Sequence, residues 1–156
     1  MRITAKSLQK GRNMNLSFER LQTKDIPATR EVFEDTYSYE QTLKFLSEKQ
    51  NIAFVAKLDG VVIGLIYGYE LTCMDKERPQ FLIYSVDIYD AYQDRGYGQE
   101  FVKFVVDWAR ENGYCESWVL THKDNPRACK VYEKAGMTHS ETDCERMYEV
   151  AYEEPV

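Results

Sequence analysis

The residues of this chain best suited to chemistry lie in Gln93-Asp94-Arg95-Gly96-Tyr97-Gly98. Two glycines at this spacing let the backbone turn tightly and gather its N–H groups. An apolar, strand-like run over residues 81–89 precedes them, and an amphipathic, helix-like run over 99–112 follows. A helix starting there adds unpaired N–H groups and the positive end of its dipole. Such an arrangement binds phosphate. A second group, Asn125-Pro126 through Gly136, opens with a helix cap and a proline suited to the first helical position.

The elements that must hold these residues read along the chain as follows. Residues 16–21 alternate like a half-buried strand. A helix start at Thr23-Lys24-Asp25-Ile26-Pro27 leads into a helix through Val32 and Phe33. Ser38 to Gln41 has capping-box spacing, which predicts a second helix to about Gln50. Strands over 52–58 and 61–71 flank a hairpin turn at Asp59-Gly60, and a further strand covers 80–89. The helix over 99–112 puts Phe101, Phe104, Val105 and Trp108 on one stripe. A short strand follows at 117–121, then a helix burying Ala128, Val131, Tyr132 and Ala135, then a final strand at 147–152. The order predicts one mixed α/β domain around a central sheet.

Composition bounds the partners. The chain has 156 residues, 44% hydrophobic and 29% charged, enough for one domain with a core. Residues 1–13 hold Arg2, Lys6, Lys10 and Arg12 and no acid, and read as a basic extension; Met14 is a candidate initiator. With a net charge of −6 overall, residues 14–156 carry about −10. An acidic body disfavours nucleic acid and suits a cationic substrate. No apolar run approaches the roughly 20 residues of a membrane span, and the start lacks a secretory apolar region. The four scattered cysteines, with no C-x-x-C pair, argue against a metal and for reduced thiols in the cytoplasm.

Among glycine-loop chemistries, a P-loop fails because no Lys-Ser or Lys-Thr follows Gly98. A dinucleotide fingerprint fails because Phe101 holds its third small position and the stretch Trp118-Val119-Leu120 is apolar. A pyrophosphate pocket of the coenzyme A type remains. Here the chain resembles the GNAT (Gcn5-related) N-acetyltransferase superfamily. Val86-x-Ile88 followed by Gln93-x-x-Gly96-x-Gly98 matches one family motif, and Asn125-x-x-Ala128-x-x-Val131-Tyr132-Glu133-Lys134-x-Gly136 matches another. The resemblance implies an α/β (α+β) fold with a mixed, mostly antiparallel central sheet of about six to seven strands and helices on both faces. A single N-acetyltransferase domain would span 14–156.

The resemblance also implies a site. The main chain of Val86 and Ile88 would pair with the pantetheine arm of acetyl-CoA, and Asp87 between them would count among the cofactor-binding residues. Gln93 and the amides of Asp94, Arg95, Gly96, Tyr97, Gly98 and Gln99 would hold its pyrophosphate. Asn125, Ala128 and Tyr132 would line the pocket. The implied reaction is direct attack of a primary amine on the thioester, with no metal. Ile88 N–H would serve the oxyanion and Tyr132 would be the general acid. The general base stays open among Glu70, Asp87, a C-terminal carboxylate (Glu145 or Glu149), His122 and an ordered water. Strict strand alternation puts Leu82, Tyr84, Val86 and Ile88 on one face and Ile83, Ser85, Asp87 and Tyr89 on the other. Glu34, Tyr37, Tyr67, Glu70 and Tyr84 are the candidate acceptor-side residues.

Segments at 81–84, 121–125 and 147–150 are similar to aminoglycoside 3-N and streptothricin acetyltransferases, which implies a small cationic amine and antibiotic modification. Ser85 departs from the aminoglycoside 3-N group, which tends to carry an acid there. A protein or peptide N-acetyltransferase and a non-catalytic acetyl-CoA-binding module are the alternatives. Many relatives dimerise, and an exposed final strand offers an edge for a homodimer.

Overall fold

Asp59 and Gly60 adopt φ of 50° and 83°, the positive values that a two-residue hairpin turn requires, and so join two long strands. The structure, a computed structural model, describes residues 14–139. In it β1 (Leu16–Arg20), β2 (Asn51–Leu58), β3 (Val61–Leu71) and β4 (Gln80–Ile88) are successive antiparallel neighbours, and β5 (Glu116–Val119) lies parallel to β4. These five described strands are fewer than the six to seven expected. The strand expected at 147–152, the extension at 1–13, Glu145 and Glu149 all lie outside the described residues.

The first expected helix is a different object. Residues Thr23–Thr29 form a 3₁₀ segment that runs into one α-turn, α1 (Arg30–Phe33), and a further 3₁₀ turn, Glu34–Thr36. Pro27 lies inside the segment and has no N–H to give a regular ladder. Ser38 caps α2 (Tyr39–Ser47), its Oγ accepting from Gln41 N–H at 3.2 Å. α3 (Tyr97–Glu111) starts two residues before the expected position, and α4 (Pro126–Lys134) starts where Asn-Pro predicts.

The helices cover both faces of the sheet. On one face Phe54, Phe81 and Phe101 are fully buried, with Val105, and Phe104, Trp108, Val131 and Tyr132 pack against them from α3 and α4. Burying each such phenylalanine stabilises the fold by about 1.5–3 kcal/mol. On the other face Ala53, Val55 and Leu65 meet Phe33 of α1 and Phe45 of α2.

β4 breaks strict alternation. Tyr67 pairs with Ser85 but Gly68 pairs with Ile83, which leaves Tyr84 as an extra residue in a bulge. Phe81 and Ile83 therefore share the α3 face with Val86 and Ile88. Leu82, opposite Tyr69, and Tyr84 do not, contrary to the alternation reading. Tyr84 instead packs against Tyr67, tilted, and Tyr69, edge-on, at centroid distances of 5.6 and 5.5 Å, on the α2 side. Gly68 permits the bulge, because a Cβ there would lie 2.0 Å from the Leu82 carbonyl oxygen. Gly68→Ala is expected to destabilise the domain by about 1–3 kcal/mol, read by denaturant unfolding. Unchanged stability would show that the bulge does not need a glycine partner.

Candidate active site

Among the described residues, part of β4 beyond the bulge has no neighbouring strand on one side. β5 pairs with β4 only from Gln80 to Ile83. Beyond that point Tyr89 N–H donates to Ile63 O at 2.8 Å, which sets the ladder with β3. In an antiparallel ladder alternate residues bond the same neighbour. Ser85 and Asp87 thus address β3, whereas Val86 and Ile88 turn their N–H and C=O groups to the edge that β5 has left. One of those groups is used internally: Gln93 Nε2 donates to Ile88 O at 2.8 Å and to Asp90 Oδ1 at 3.0 Å. Ile88 N–H is left at the free edge.

That edge opens into a cleft of about 410 Å³ between α3 and α4. Val86, Ile88 and Tyr92 line it from the strand side, and Gln93, Asp94, Gly96, Tyr97, Gly98 and Gln99 from the loop. Asn125, Ala128, Val131 and Tyr132 line it from α4. Gly96 caps α3 with φ of 82°, in the left-handed region, and no side chain caps the helix. The first N–H groups of α3 thus have no partner within the helix and face a space fit for an anion. Asn125 Oδ1 accepts from Ala128 N–H at 3.1 Å, so the cap occupies its oxygen and leaves its Nδ2 donors for a ligand.

Arg127 was not singled out by its motif. Its Nη1 donates to Gln93 Oε1 at 2.5 Å and its Nη2 to Asp94 Oδ2 at 2.6 Å, tying α4 to the loop across the mouth of the cleft. Lys130 and Lys134 line the same cleft. Their recurrence at helical spacing with Val131 was the available signal.

The Tyr132 phenol is held above its ordinary value by burial first and then by the charge of Asp87. Asp87 accepts from Ser85 Oγ at 2.5 Å. Its charge also adds to burial in raising Tyr67, and to burial and Glu31 in raising Tyr89. One carboxylate therefore acts on tyrosines of the α2 side and on the tyrosine of the cleft.

The remaining expected residues are dispersed. Asp87 and Arg95 are not among the cleft-lining residues. Glu70 is drawn away to the Trp108 end of the sheet, where it accepts from Tyr114 Oη at 2.7 Å. His122 is exposed, 3.6 Å from Asp124. Glu34 is exposed, and Arg30 lies 4.5 Å above the Tyr37 ring. Among the described residues no three His, Cys, Asp or Glu side chains gather as metal ligands, and no helix is long and apolar enough to cross a membrane. A second, more open depression at Lys76, Arg78 and Cys115 lies by the start of β5, apart from both motifs.

Residues 18–137 match the family model described as "Acetyltransferase (GNAT) family". No curated protein matches the chain in sequence. An aminoglycoside acetyltransferase from an uncultured soil metagenomic sample, solved in complex with sisomicin, is similar at 24% identity and a TM-score of 0.73, over 87% of this chain and 97% of that one. The aminoglycoside N-acetyltransferase AAC(6')-Iy in complex with CoA is similar at 16% identity and a TM-score of 0.70, over 89% and 98%. A ribosomal-protein-alanine N-acetyltransferase from Brucella melitensis biovar Abortus 2308 has a TM-score of 0.70 at 13% identity, over 88% and 100%. At these identities the likenesses establish the fold.

Proposed function

The chain belongs to the GNAT acetyltransferase family, and from that premise we propose that it moves an acetyl group from acetyl-CoA directly to a primary amine of a small cationic molecule. The observation that carries the reading is the free edge of β4 at Val86 and Ile88, opening into a cleft that also holds unpaired helix amides and Tyr132. An extended pantetheine arm can add to such an edge as a strand does. The α3 amides suit a pyrophosphate.

Acetyl-CoA supplies the activated thioester; the protein supplies position, a hydrogen-bond donor and proton transfers. Ile88 N–H meets the charge developing on the carbonyl oxygen. Tyr132 donates its proton to the departing sulfur. Asp87 draws the ammonium of the acceptor and takes its proton, directly or through a water, because a protonated amine has no lone pair. Asp87 is favoured over Glu70 because its charge reaches Tyr132, while Glu70 is occupied by Tyr114. The clustered rings of Tyr67, Tyr69 and Tyr84 next to Asp87 suit a cation, through their π faces.

Asp87→Asn is expected to lower kcat/KM for the acceptor about tenfold, one charge-assisted contact, with coenzyme A affinity unchanged. An unchanged kcat/KM would remove Asp87 from the site. The reading as a whole is tested by thiol release from acetyl-CoA over a panel of aminoglycosides, polyamines, amino acids and N-terminal peptides. Turnover confined to one small-amine class supports it. Turnover on peptides alone would move the substrate to protein.

A further inference from the structure

Three cations of the cleft have no part in the loop motif. Arg127, Lys130 and Lys134 stand at i, i+3 and i+7 on α4 and all line the cleft. That spacing makes one stripe about 10 Å long. Among the described residues Asp94 is the sole acid lining the same cleft, and Arg127 already holds it. Neither lysine has an acidic partner among the described residues. A chain of net charge −6 has thus gathered unmatched positive charge on one wall of one cleft.

The loop amides and the α3 N-terminus suit one phosphate cluster, while the stripe extends along a separate helix. Ammonium groups bind phosphate as point charges, and guanidinium does so bidentately. A phosphate monoester carries about −1.5 to −2 at pH 7, more than each group of a pyrophosphate diester, and is the better partner for two lysines.

We propose that the α4 stripe binds the phosphate monoester on the ribose of coenzyme A, with Arg127 exchanging Asp94 for phosphate as the donor enters. The inference rests on the coenzyme A reading of the cleft. It makes the enzyme selective for donors that carry this third phosphate over those that end at pantetheine or lack the monoester.

The test is titration calorimetry of the full chain at fixed salt with CoA and with dephospho-CoA. Wild type is expected to bind CoA at least about tenfold more tightly. Both lysines are exposed, so the double variant Lys130→Ala/Lys134→Ala should fold. It is expected to lose that preference by weakening CoA alone, with dephospho-CoA affinity held within about twofold. Equal affinities in wild type, or a variant that weakens both ligands alike, overturn the proposal. If neither ligand binds wild type, the coenzyme A reading falls and takes the proposal with it. Asp94→Asn, which keeps a residue tolerant of φ near 60°, is expected to tighten CoA several-fold by freeing Arg127. Unchanged or weaker CoA binding in that variant overturns the exchange.

Discussion

Tyr132→Phe is expected to lower turnover about a hundredfold, the lower end of what general acid catalysis supplies, while coenzyme A affinity stays within about twofold. The ring packs against the core formed by α3 and the sheet, and phenylalanine preserves that packing. Only the hydroxyl is lost. Its proton is secure in the wild type: burial, then Asp87, holds the phenol above its ordinary value of about 10. A group raised in this way keeps its proton at every pH below the raised value. The wild-type rate should therefore rise with pH as the acceptor amine loses its proton, and show no fall from Tyr132 below about pH 10. Turnover measured across pH 6–10 for both proteins checks this. Equal turnover in the two would show that Tyr132 is only a core residue.

Gly96→Val is expected to weaken coenzyme A binding about a hundredfold and leave the domain folded. Gly96 has φ of 82°, and a Cβ there meets nothing closer than Gln99 Nε2 at 4.0 Å, so the harm comes from the backbone and not from crowding. A β-branched residue at positive φ is strained by more than the roughly 1–2 kcal/mol typical of the left-handed region. The loop relieves the strain by moving, which turns the α3 amides from their common focus. Losing one or two such donors to a charged ligand accounts for the rest of the effect. Circular dichroism and a coenzyme A titration on the same protein separate the two consequences. Normal affinity in a folded variant would mean the loop does not hold the pyrophosphate.

Local signals carried most of the fold. Asp59-Gly60 announced its hairpin because both residues must take positive φ, and Asn125-Pro126 announced α4 because one caps and the other fits its first turn. The turn that brings the loop into the cleft was legible for the same reason: glycine spacing marks it, and Gly96 takes the positive φ it needs. The bulge at Tyr84 was not legible, since alternation assumes a period of two and the only trace of the interruption is Gly68 on the neighbouring strand. Its consequence was a misplaced face for Leu82 and Tyr84. Glu70 was drawn towards the site by strand position alone, and its partner Tyr114 lies 44 residues away. Arg127 was missed because its partners Gln93 and Asp94 are 34 and 33 residues distant, beyond any periodicity. The first helix was legible in part: α1 runs through Val32 and Phe33 as read, but the start marked by Pro27 is a 3₁₀ segment with the proline inside it.

Thermal unfolding with and without acetyl-CoA tests the central claim most directly, because a ligand that binds only the folded chain stabilises it by mass action. At 100 times the dissociation constant the gain is about 2.7 kcal/mol, which for a domain of this size raises Tm by about 5–10 °C. That rise is the result expected for a cleft built around the free edge at Val86 and Ile88. A Tm unmoved by millimolar acetyl-CoA would contradict it.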